Sequence, residues 1–127
     1  MKVGNTETIT FTVEAQMQPV FEGKTIHPLC STWDLAHQFE LASRYVLVPH
    51  LEEDEEGIGS RVSIDHKSPA HLGSTVEVTA TVTKTSKSEV VCDIVAAIGS
   101  RIVATGDQIQ RIFPKEKIDQ IIANAND

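Results

Sequence analysis

A hydroxyl, a carboxylate and an imidazole stand at Thr32, Glu40 and His66. Together these group types can run acyl hydrolysis: the imidazole takes a proton, the carboxylate orients or activates, and the hydroxyl attacks or positions water. Thr32 opens a stretch of helical periodicity, Glu40 lies two turns further in, and His66 ends a strand pattern as the only titratable residue on its apolar face. Each has a plainer reading as well. Ser31-Thr32 followed by Asp34 fits a helix N-cap with a weak capping box, and Ser31 can cap while Thr32 reacts. A lone Glu40 reads as a solvated carboxylate. If a sheet wraps the helix, however, a carboxylate among Phe39, Leu41 and Ala42 must be paired or chemically used. His66 shares strand parity with Val62 and Ile64 and faces the core, whereas Asp65 faces away and is not its partner in a regular strand.

The elements that must position these groups follow from hydrophobic period. Residues 6–14 alternate, with Ile9, Phe11 and Val13 on one face and threonines on the other, which predicts a half-buried strand. Residues 15–31, punctuated by Pro19, Gly23 and Pro28, predict an irregular loop or lid. Over 32–48 the period changes, and Leu35, Phe39, Ala42 and Val46 form one stripe of an amphipathic helix that Pro49 stops. Glu52 to Glu56, ahead of Gly57, reads as a solvated acidic loop rather than a metal site. Strands are expected at 58–67 (Ile58, Ser60, Val62, Ile64 and His66 on one face), 74–85, 89–98 and 101–113, with short turns that imply an antiparallel meander. Pro114 then opens a short helix through Ile118, Ile121 and Ile122. One helix after the first strand of such a sheet packs across its concave face, and the exposed edge favours dimerisation. The class is α+β.

A chain of 127 residues, 40 % hydrophobic and 23 % charged, is expected to be one soluble domain, 1–127. The net charge of -7 lacks the basic stripe that nucleic acid requires, but leaves room for a nucleotide-bearing ligand such as coenzyme A. Cys30 and Cys92 are too few for a disulfide framework and sit in no CxxC motif, so both are read as free thiols in a reducing compartment. Neither a signal-peptide core nor a membrane-spanning run is present, and a cytoplasmic location is expected. There is no nucleophile elbow, phosphate loop, dinucleotide fingerprint or zinc spacing. His37 and Glu40 stand three apart but are only two potential ligands. Cys30, near His27, reads as packing.

The segments Ser31-Thr32 through Glu40-Leu41-Ala42, Gly57-Ile58-Gly59-Ser60, Ile64-Asp65-His66-Lys67-Ser68-Pro69 and Leu72-Gly73-Ser74-Thr75-Val76 resemble the hotdog-fold thioesterases, specifically the fluoroacetyl-CoA thioesterase-like family. The resemblance covers nearly the whole chain. It implies an antiparallel sheet wrapped around one long central helix, and a catalytic Thr, Glu and His at Thr32, Glu40 and His66. It also implies a glycine, Gly59, whose backbone N–H helps hold the thioester carbonyl. Trp33 stands where a smaller residue is usual and is expected to shape the acyl pocket. The segment before Thr32 is shorter than in the fluoroacetyl-specific enzyme and lacks its lid phenylalanines. The family's late arginine, in a G-x-x-x-R stretch, meets Gln110 here; Arg111 takes the role if a bulge near Gly106 shifts the register.

The expected activity is therefore hydrolysis of a small acyl-CoA thioester, with no metal or organic cofactor beyond the substrate's own coenzyme A, in a homodimer. Two rivals remain: an acyl-CoA hydratase or dehydratase, which has no need of Thr32, and a non-catalytic acyl-CoA binding or sensing domain.

Overall fold

The computed structural model describes residues 1–125. In chain order the elements are β1 (Thr6–Thr12), β2 (Val20–Phe21), β3 (Lys24–Thr25), α1 (Thr32–Leu47), β4 (Glu55–His66), β5 (Thr75–Thr85), β6 (Glu89–Ile98), β7 (Arg101–Pro114) and α2 (Lys115–Asn124). Ser31 caps α1 by accepting the backbone N–H of Asp34 at 3.1 Å. At the other end α1 runs into a 3-10 turn, Val48–His50, that contains Pro49. The predicted stripe is buried: Leu35, Phe39, Ala42 and Val46 are at most 3 % exposed. Burying a large member of this row stabilises by about 1.5–3 kcal/mol.

The five long strands make one antiparallel sheet in the order β1-β5-β6-β7-β4. β5, β6 and β7 are the expected meander, and α1 packs on the inner face against all five strands. Val76, Val78, Ala80 and Val82 of β5 and Val90, Cys92, Ile94 and Ala96 of β6 supply that face, each at most 1 % exposed. Open edges remain at β1 and β4.

Three local expectations are corrected. The acidic loop is shorter than its composition suggests, because Glu55 and Glu56 already belong to β4, opposite Pro114 and Phe113. β7 is long enough to extend the ladder, and Arg44 relieves the like-charge crowding by pairing with Glu56 at 3.1 Å. The loop at 15–31 is also partly ordered. β2 and β3 form a tight hairpin through Glu22 (φ 51) and Gly23 (φ 79), the two positive φ values that match a twisted two-residue turn. Finally, β4 is not a regular strand. Its register with β7 shifts between Gly59 and Arg61, so Ser60 is an extra residue and parity reverses there. Gly57 and Gly59, not Ile58 and Ser60, share the inner face with Val62, Ile64 and His66.

Candidate active site

Because Ser31 caps the helix, the Thr32 hydroxyl is free for another partner. Its Oγ1 lies 2.9 Å from His66 Nδ1 at the last residue of β4. The pair sits at the N-terminus of α1, where backbone N–H groups and the helix dipole favour a developing negative charge. The other ring nitrogen, His66 Nε2, is buried and has no hydrogen-bond partner. If Thr32 donates to Nδ1, the proton resides on Nε2 and that N–H lacks an acceptor.

Thr32 and His66 line a recess of about 250 Å³ together with Pro19, Phe21, Leu29, Cys30 and Trp33. Trp33 is half exposed and meets Phe21 of the β2–β3 hairpin edge to face, with ring centroids 5.5 Å apart. The hairpin thus forms one wall of a mostly apolar pocket beside the hydroxyl–imidazole pair. Cys30 is no rival nucleophile. Burial, and next the neighbouring Asp34 carboxylate, push its thiol up to about 12, which keeps it protonated and unreactive at neutral pH.

Glu40 lies elsewhere. It borders a second recess, about 260 Å³, with His37, Leu41, Arg44, Gly57, Gly59, Gln108 and Gln110. A Cβ placed on Gly59 would stand 3.5 Å from Glu40 Oε1, so the bulge at Ser60 has turned a bare backbone position toward that carboxylate. Within one chain, then, Thr32, Trp33 and His66 share one recess while Glu40 and Gly59 share another. Glu40 and His66 of one chain therefore border different recesses. Glu40 is eight helical steps on from Thr32, about 12 Å along the axis.

Arg111 reaches neither recess. The register of β4 and β7 around Gly106 is unbroken, with Ser63, Ile64 and Asp65 opposite Asp107, Gly106 and Thr105. A Cβ at Gly106 would overlap the Ser63 carbonyl, so the two backbones are in close contact there and leave no space for the anticipated bulge. Arg111 therefore stays on the outer face, 3.9 Å from Glu89 and over the Phe113 ring. Gln110 takes the inner position and donates to the Ser43 carbonyl at 3.0 Å. Gln108 went unnoticed in the sequence, and the burial of Gln110 was not anticipated; they are 2 % and 3 % exposed. Their spacing was the available signal, since both fall in phase with buried Ala104 on β7.

Among the described residues, no three His, Cys, Asp or Glu side chains are grouped to hold a metal ion. None of their helices is long and apolar enough to cross a membrane.

Comparison with known proteins adds to this geometry. A thioesterase superfamily member from Thermus thermophilus superposes with a TM-score of 0.92 at 31 % identity, over 97 % of this chain and 91 % of that one. The fluoroacetyl-CoA thioesterase FlK superposes with a TM-score of 0.90 at 20 % identity, over 100 % and 98 % of the two chains. A hot-dog-like protein from Thermanaerovibrio acidaminovorans gives 0.89 at 22 % identity, over 96 % and 90 %. At these lower identities the likeness concerns the fold. No curated protein matches the sequence. The model of the family described as fluoroacetyl-CoA-specific thioesterase matches residues 10–116, which takes in α1, both recesses and the sheet apart from the first four residues of β1. The chain belongs to that family, and is a hotdog-fold thioester hydrolase.

Proposed function

We propose that the chain hydrolyses a small acyl-CoA thioester in a cleft shared by two copies of itself. The observation that carries this reading is the 2.9 Å contact between Thr32 Oγ1 and His66 Nδ1 at the start of α1. In the proposed reaction His66 takes the proton of the attacking hydroxyl, which belongs to Thr32 or to a water that Thr32 holds. The thioester carbonyl sits by Gly59, Glu40 orients or activates, and the coenzyme A thiolate leaves. These groups need no metal or organic cofactor. The apolar recess walled by Phe21, Leu29 and Trp33 suits a short acyl group. Two free, buried thiols, Cys30 and Cys92, fit a cytoplasmic protein.

Dimerisation is supported by the edge strand itself. β4 is 12 residues long with no neighbour on one side, and Val62, on its inner face, is 37 % exposed. Antiparallel pairing of β4 with its own copy, centred on Val62, brings Gly59 of one copy alongside the His66 end of the other. Because Glu40 lies over Gly59, such pairing carries the Glu40 carboxylate toward the unpartnered His66 Nε2 of the second copy. The test is a panel of acyl-CoA substrates assayed by free-thiol release. Turnover of short acyl chains is expected, and binding without thiol release from any of them would overturn the reading.

A further inference from the structure

Gln108 has no part in the reaction scheme above, yet its placement is unusual for a sheet interior. It is 2 % exposed and its Oε1 is buried without a partner. An unpaired buried carbonyl is destabilising, and an aliphatic side chain here would avoid it. Its other polar end faces the Gly59 side. Nε2 lies 3.2 Å from the point a Gly59 Cβ would occupy, and Glu40 Oε1 lies 3.5 Å from the same point. An amide donor and a carboxylate therefore converge on a space kept open by the missing side chain, at the edge of the second recess.

That pairing has a polarity. An N–H attracts a partially negative atom, and a carboxylate favours a partially positive one. A carbonyl dipole fits with its oxygen toward Gln108 and its carbon toward Glu40. We propose that the Gln108 side-chain N–H donates a hydrogen bond to the thioester carbonyl oxygen of the substrate. This rests on the thioesterase reading and deepens it. When the hydroxyl oxygen adds to the carbonyl carbon, the C=O π pair moves onto the oxygen and the hydroxyl proton passes to His66. Gln108 holds that oxyanion until the C=O re-forms, the C–S bond breaks, and coenzyme A leaves as thiolate to take up the proton.

The experiment compares wild type with Gln108→Met, close in shape and without the donor, and with Gln108→Leu as a second variant. Thermal melts report folding, and removal of an unpaired buried carbonyl predicts an unchanged or higher Tm for at least one of the two. Two non-hydrolysable ligands are titrated by calorimetry: a coenzyme A ketone with a methylene between sulfur and carbonyl, and an S-alkyl coenzyme A without the carbonyl. The folded variant is expected to lose about tenfold in affinity for the ketone and nothing for the alkyl ligand. Its kcat should fall by about 10²–10³-fold, with KM rising no more than the tenfold lost on the ketone, as when one oxyanion donor is removed. Equal losses on both ligands, or an unchanged kcat, would overturn the assignment. Absence of thiol release by wild type from every acyl-CoA would instead remove the hydrolase reading, and the ligand pair would still decide whether Gln108 recognises a carbonyl.

Discussion

If the site is completed between copies, two inactive variants should restore each other. Glu40→Gln keeps the shape of the side chain and removes its charge, and His66→Ala removes the base. Each alone is expected to lower turnover by about 10²–10⁴-fold. Thr32 Oγ1 is 2.9 Å from His66 Nδ1, whereas Glu40 is about 12 Å further along α1 and borders Gly59 instead. In a dimer paired through β4, each site then takes Thr32 and His66 from one copy and Glu40 from the other. A hybrid of the two variants has one site with both lesions and one with neither. Random mixing makes about half of all dimers hybrid, so about one quarter of wild-type turnover should return. Free-thiol release measured across mixing ratios should follow the product of the two mole fractions. If Glu40 and His66 served the same site from within one chain, every site in every species would carry a lesion. Activity that stays at the homodimer level, while native mass spectrometry shows that hybrids have formed, would refute the shared cleft.

Thr32→Ser should retain most turnover and Thr32→Ala lose it. With Ser31 as the cap, neither should lower Tm by the several degrees that loss of an N-cap brings, and a Thr32→Ala enzyme with full kcat would refute a role for the hydroxyl. Gly106→Ala forces a Cβ onto the Ser63 carbonyl and should destabilise by about 2 kcal/mol or more; a wild-type urea midpoint would contradict the close approach of β4 and β7. Phe39→Ala empties the centre of the core, where Phe39 is 0 % exposed, and should cost about 3–5 kcal/mol by denaturant unfolding. The buried Cys30 thiol, pushed up to about 12, keeps in the folded state a proton that the unfolded chain loses near its ordinary pKa of about 8.5. Stability should therefore fall as pH rises from about 8.5 toward 12, and Cys30→Ala should flatten that slope; an unchanged slope would count against this cause.

The elements were legible because local period reports burial. The Leu35–Phe39–Ala42–Val46 stripe, the alternation of β5 and β6, and the turns between them need only chain geometry and the preference of apolar groups for a dry face. Thr32 and His66 belong to the same level: a helix start beside a cap and the inner face of a strand can each be counted from the chain. Other features arise only from pairing. Ser60 is a bulge because β7 offers one residue where β4 offers two, and counting along β4 alone placed Ile58 and Ser60 on the wrong face. The choice between Gln110 and Arg111 was open for the same reason, and the contact at Gly106 decides it for Gln110 by holding the register. Glu40 was recognisable as a carboxylate on the central helix, but which histidine it can serve depends on distances across the sheet, and on what lies beyond its edge. Periodicity determines which way a residue points. What stands opposite it is set by register, a long-range property that no local pattern encodes.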